Sequence, residues 1–504
     1  MKTLHDLLSD FSKIINDPTL LPFAQITPGA FTRSRKITLN LLLLYLIFRN
    51  NNVLSEDIVN FFGAVRNFDD LPTRQAVIKR MCILNFDVWK EIMRRYREII
   101  YSNVNLYKLK DYIVVAVDGS FVDLPPHYVL NRYFGGDMKK NMTFEDIKKP
   151  QAKVSMIYDV LNQSILDFSV APYRTSEIPL LFDHLRELDS FFEDKKIILL
   201  ADRYYGSAEL FKYCEMHNIK YIVRAKKNFF KKYIAKHEED DETDFGISIK
   251  MDKAWIRRIK NDDIRDYIKT DPILNVRVVK GEYTYIEKTK KGRKEKEITI
   301  SSQYFTNLDE SEFDTSEIID IYHFDRWKVE TGYDVLKNQL DIEQLNVHNP
   351  IGIINEIMGK VVFYNIEKLI FMDSMKLIKE KEDADTAEDN NIITIVESIE
   401  DANTVTSDDA REANKYEYIP NNKYIIEMVH HINFVIGFSK GIDEAMLENM
   451  VASSARVKVP VRKGRHYKRW KKFLRSIPNT RHRIDGRRNP PVAKGKTGFL
   501  TTNH

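Results

Sequence analysis

The sequence predicts a mixed α/β protein. A core of alternating strands and helices with a β-rich insertion is expected between an N-terminal helical domain and a helical, basic C-terminal region. Three observations predict it. Apolar residues recur at three- and four-residue spacing up to about position 105, then give way to continuous β-branched runs such as YIVVAV (112–117) and KIILLA (196–201). From 112 to 225 the runs follow the order β-β-β-α-β-α-β. Two of them end on an acid, Asp118 and Asp202. The boundaries that follow are 1–105 (helical), 106–375 (α/β, with 226–312 as insertion), 376–418 (acidic and flexible) and 419–504 (helical and basic).

Composition narrows the class. At 504 residues the chain suggests about three folding units. It is 43% apolar and 30% charged, which suits packed cores and opposes wholesale disorder. Only 18 glycines exclude a collagen-like or glycine-looped repeat, and two cysteines, Cys82 and Cys214, exclude a disulfide scaffold and a cysteine-rich zinc site. The longest apolar run, LLLLYLIF (41–48), is too short for a bilayer span. A soluble intracellular protein without a membrane partner is expected.

Each element has its own signal. In 1–105, ITLNLLLLYLIF, LSEDIVNFF and QAVIKRMCILNFDVWKEIMRRYREII carry helical periodicity between turn segments such as DDLPT. Scattered basic residues make a DNA-binding role for this domain plausible beside simple packing. Residues 154–160 and 164–170 flank Asn162-Gln163 as a hairpin. EIPLLFDHLRELDSFF and SAELFKYCEMHN are helical by spacing, and YIVRA (221–225) is a further strand. ILNVRVV, YTYIEKT and KEITISSQYF supply the β-rich insertion. A helix over 316–340 follows, with Asp314 and Glu317 at capping-box spacing.

That helix carries chemistry on one face. At about 100° per residue and with Glu330 at zero, Tyr322, Tyr333, Arg326, Lys337 and His323 fall between about −80° and +20°. Ile321, Phe324, Val335 and Leu336 fall elsewhere and would be buried. Alone, such a stripe reads as a solvated face with i,i+4 ion pairs. Together with two acids at strand ends it reads differently, because open α/β sheets place chemistry there. Asp118, Asp202 and Glu330 would supply hard oxygen ligands to two Mg²⁺ (or Mn²⁺) ions, which suit phosphodiester chemistry. Arg326 and Lys337 would hold flanking phosphates, and Tyr322 or His323 the terminal nucleotides.

The charge distribution names a partner. From Arg456 to Lys496 there are sixteen Lys/Arg and one acid, a charge of +15, whereas the whole chain carries +4. Arg462, Arg465, Lys468 and Arg469 stand in this stretch, interleaved with Tyr467, Trp470 and Phe473. Dense cations mixed with stacking rings fit nucleic acid. The opposite bias at 380–412 reads as a solvated linker.

These residues resemble the bacterial insertion-sequence transposases of the D-D-E type, in the branch with a tyrosine-arginine-glutamate-lysine signature. That signature, Tyr-x2-Arg-x3-Glu-x6-Lys, is matched by Arg326-x3-Glu330-x6-Lys337, and the two aspartates by VVAVDGS at Asp118 and LLADRYYGSAEL at Asp202. One position departs: three before Arg326 stands His323, and Tyr322 is one residue early. The resemblance implies a ribonuclease H-like core, divalent-metal dependence and cut-and-paste movement of the encoding element. It also implies a homodimer that pairs the transposon terminal inverted repeats for insertion into target DNA, in the bacterial cytoplasm. An aromatic of the insertion, Trp255 or Tyr304, can in this family stack on a flipped base. A nuclease of the same fold without strand transfer, and a transposase-derived DNA-binding regulator, are the rival readings.

Overall fold

A computed structural model of the chain describes residues 2–33, 36–50, 53–66, 68–137, 143, 149–226, 228–288, 295–397 and 417–461, without side chains at 283–288, 295–298, 300 and 385–397. Eight strands form one sheet: β1 (Ile113–Asp123), β2 (Gln151–Asp159), β3 (Ser164–Pro172), β4 (Ile197–Ala201), β5 (Lys220–Arg224), β6 (Asp244–Lys250), β7 (Ile273–Lys288) and β8 (Glu295–Thr306). Their order is β3-β2-β1-β4-β5-β8-β7-β6. The β1–β2 and β2–β3 pairs are antiparallel, β1–β4 and β4–β5 parallel. This mixed arrangement is consistent with a ribonuclease H-like core.

Both faces of the sheet are covered, so its strands are apolar on both sides and read as continuous runs. Alternation still decides which face each residue serves. Val114 and Ala116 of β1, with Ile198 and Leu200 of β4, face one core, while Ile113, Val115, Val117, Leu199 and Ala201 face the other. Helices Glu177–Glu187, Ala208–Met216 and Asp262–Thr270 cover the second face.

The first face is covered by helices from both ends of the chain. Helix Pro350–Glu397 is the centre of this layer. Asn365 binds the β3 backbone twice, accepting from Ile165 N and donating to Ile165 O, both at 2.9 Å. Earlier on the same helix, Asn355 accepts from Trp89 Nε1 at 2.7 Å and donates to the carbonyls of Met81 and Leu84. Helix Leu39–Phe48, apolar all round, is buried from Leu42 to Phe48. It crosses the long helix at Gly359, where a Cβ would stand 2.3 Å from the Leu46 carbonyl oxygen, so only glycine admits the approach. The N-terminal helices thus share one core with Asn422–His430, Ile432–Lys440 and Glu444–Arg456 instead of standing apart.

Three further differences from the sequence reading concern the elements after β5. ILNVRVV and YTYIEKT are one 16-residue strand, β7, and the insertion continues the main sheet through β5–β8 pairing (Ile222 opposite Thr306). It also contains helices Lys231–Glu239 and Asp262–Thr270. The long helix passes position 376, where the acidic segment begins, and runs to Glu397. Finally, the expected helix over 316–340 is three pieces: Thr315–Asp320 behind its Asp314–Glu317 capping box, a π-helical turn at Ile321–Asp325, and Trp327–Asn338. Among the described residues no helix is long and apolar enough to cross a membrane.

Candidate active site

Asp118 does not end its strand. β1 continues to Asp123 because β2 keeps pairing with it, from Asp118 opposite Met156 to Asp123 opposite Gln151. On its other side, β4 stops at Ala201, paired in parallel with Val117. Asp118 and Asp202 therefore follow directly paired residues on neighbouring strands, about 4.8 Å apart in backbone spacing. The sheet brings together two acids 84 positions apart in sequence (202 − 118).

Helix Trp327–Asn338 lies across this point. Tyr333, buried, donates its hydroxyl to the Asp118 carbonyl at 2.9 Å, and Lys337 donates to Ser120 Oγ at 2.7 Å. Gly332 packs against Met156 and Tyr158 of β2. One turn nearer its start, Arg326 bonds Glu330 Oε1 at 2.9 Å. Burial pushes the Asp118 carboxyl up to about 6; the Arg326 guanidinium opposes the shift, and the Glu330 and Glu177 charges add to it. Asp118, Arg326 and Glu330 thus share one electrostatic environment. Asp202 Oδ1 accepts the Arg203 N–H at 2.6 Å, and its charge acts on Tyr322.

The π turn changes the face predicted for Tyr322 and its neighbours. Phe324, expected inside, is 59% exposed, while Tyr322 is 4% exposed. A π turn encloses one more residue than an α turn, so the regular wheel fails across it. The Arg326 guanidinium lies 5.5 Å from the Tyr322 ring centroid, within cation–π range. His323 Nε2 instead meets Tyr304 OH at 2.7 Å. Tyr304 is fully buried with its ring 4.9 Å from that of Tyr322, and Trp255 packs against Phe230. Arg462, Arg465, Lys468 and Arg469 lie outside the described residues.

Glu177 is the acid that periodicity missed. As the first residue of helix Glu177–Glu187 it reads as an ordinary helix-start acid. Its carboxylate accepts from Lys153 Nζ at 2.8 Å and Tyr205 OH at 3.1 Å. It also presses on Gly119, where a Cβ would stand 2.6 Å from Glu177 Cδ. The glycine of Asp118-Gly119-Ser120, legible only as a turn residue, is what lets a further carboxylate come beside Asp118.

The donor chemistry suits a hard divalent cation: carboxylate oxygens only, one of them driven toward protonation chiefly by burial, with the Glu330 and Glu177 charges adding to it. Among the described residues no three His, Cys, Asp or Glu side chains are grouped as ligands. Glu330 is turned to Arg326, and Asp202 to its own loop.

A mixed α/β sheet with an acid-centred site at the end of its parallel pair defines a class that includes nucleic-acid-processing enzymes. The chain belongs to the transposase DDE domain family: that family's model matches residues 109–366, just over half the chain, including all three acids. No curated protein sequence matches it. Among solved structures, the cryo-EM structure of a piggyBac transposase synaptic complex with hairpin DNA aligns at a TM-score of 0.37 and 11% identity, over 89% of this chain and 82% of that one.

Proposed function

We propose that this protein is a DNA transposase of a bacterial insertion sequence, which cleaves DNA at its element's terminal inverted repeats and joins the freed 3′-hydroxyl to target DNA. The reading is supported by Asp118 and Asp202 following paired residues of β1 and β4, with the Arg326–Glu330 pair near enough to act on Asp118, inside the matched family domain.

Asp118, Asp202 and Glu330 would hold the divalent ions, Mg²⁺ or Mn²⁺. When bound, such ions supply charge neutralisation at the scissile phosphate and a more acidic water or hydroxyl. The chain's own residues do the rest. Arg326, released from Glu330, offers its planar fork to a phosphate. Lys337, bonded to Ser120 just beyond Asp118 on β1, presents a second positive charge to the DNA backbone. Tyr333 fixes the main chain that carries Asp118. Arg462, Arg465, Lys468 and Arg469 belong to the basic stretch that grips DNA through counterion release. Two copies pairing two ends complete the reading.

The test uses purified full-length protein, a plasmid target and DNA carrying the sequences that flank the gene. Nicking or cleavage at the repeat, followed by integration into the plasmid, is the expected outcome, and Asp202→Ala should abolish both while leaving end binding measurable. Cleavage that survives Asp202→Ala would refute the site. Cleavage without integration would identify a nuclease instead.

A further inference from the structure

The signature places its tyrosine three residues before the arginine, a place held here by His323. In a regular helix, Tyr322 would be turned about 100° from that place. The helix is not regular there: Ile321–Asp325 is a π turn, closed by i→i+5 bonds in place of i→i+4. Across it, the four steps from Tyr322 to Arg326 span about the arc that three steps span in an α-helix.

We propose that this π turn absorbs one extra residue, and that by doing so it seats Tyr322, not His323, beneath Arg326 as the positioning residue for that arginine. The role of Arg326 rests on the transposase reading; the register does not. Four observations carry the inference. The Tyr322 ring is buried with the Arg326 guanidinium 5.5 Å from its centroid. His323 is turned to Tyr304 Oη on β8. Phe324 lies outside the core, 59% exposed, as an added residue would. Both flanks keep their own faces: Ile318 stays buried before the turn, Val329 and Tyr333 after it. Neither flank has rotated to accommodate the extra residue. π turns of this kind gather at functional sites, where they re-aim one side chain without dismantling the helix.

Deletion decides it. Removing Phe324 from the full-length protein should let the segment close as an α-helix with tyrosine three before arginine. The thermal midpoint should stay within about 3 °C of wild type, and DNA-end cleavage should persist. Removing Lys328 from the regular helix is the control. It turns everything before it by about 100° relative to Glu330, and should lower the midpoint well beyond that margin and end cleavage. Tyr322→Ala should reduce cleavage about 10-fold or more, and Tyr322→Phe should restore it to within about 3-fold, because the ring and not the hydroxyl supports the guanidinium. The inference is overturned if deletion of Phe324 is as damaging as deletion of Lys328, or if Tyr322→Phe is no better than Tyr322→Ala. Should wild-type protein cleave no DNA end, the transposase reading fails, while the melting comparison still decides the register.

Discussion

Charge is handled in opposite ways in two regions of this molecule. In the helical layer, Arg49, Asp57, Glu356 and Lys360 are buried together. Arg49 is bonded to Glu356, its Nε lies 3.6 Å from Asp57, and Lys360 donates to the Arg49 carbonyl. Side-chain exposure of Arg49, Asp57 and Glu356 is 1% each, and Arg49 is paired with both acids, while burial pushes the Lys360 amine down to about 7. At the end of the β1–β4 pair the acids outnumber their cations. Arg326 holds Glu330 and Lys153 holds Glu177, while Asp118 relies on more distant positive charge. The first arrangement is finished as it stands. The second is short of positive charge, and that deficit is what a cation or a cation-assisted reaction can exploit.

The largest effect is expected on activity: Glu330→Gln should lower DNA-end cleavage by at least about 10³-fold with little change in thermal midpoint, read by gel assay and calorimetry on one preparation. A large loss of stability would place Glu330 with the finished cluster. Next, Glu356→Ala strands Arg49 in the core and should destabilise the protein by ~3–5 kcal/mol, measured by denaturant unfolding. An effect below about 1 kcal/mol would mean that water reaches the cluster.

Third, Asp118→Asn should stabilise the cation-free protein at pH 7.5 by ~1–2 kcal/mol. The sign follows from the raised carboxyl. A folded-state pKa above the unfolded value favours the protonated form, so ionised Asp118 weakens the fold above about 6, and the penalty fades as pH falls toward the unfolded value. The advantage of the asparagine variant should therefore shrink between pH 6 and 4 in thermal scans, and one that is independent of pH would contradict the assignment. Smallest, Ser120→Ala removes the acceptor of Lys337 and should change stability by about 1 kcal/mol or less, with DNA affinity the more sensitive readout at low salt.

Much of this was legible in the chain. The run from Ile113 to Val117 cannot be read for direction. It and the apolar run before Asp202 nevertheless marked two neighbouring strands and put an acid at the end of each run, since strands covered on two faces must be apolar throughout. The Asp314–Glu317 cap was legible because capping is local. What failed was non-local or aperiodic. Where β1 ends depends on β2, not on β1, so Asp118 could not be recognised as lying within its strand. Phe324 was misplaced because one wheel was drawn through a helix that changes pitch. Glu177 carried no periodic signal, and only its packing on Gly119 reveals it. The segment after β5 looked like an excursion because sheet membership depends on pairing partners that sequence spacing does not encode.

The β5–β8 pairing has a practical consequence. β5 is short and apolar, with Tyr221, Ile222 and Val223 buried, and β8 occupies the edge it would otherwise present. A trimmed catalytic fragment that excises only the segment from the end of β5 through β8 would uncover a row of unsatisfied amides and carbonyls flanked by greasy side chains, a template for intermolecular strand addition. Such a fragment should come out of expression as aggregate, however faithfully it preserves the three acids.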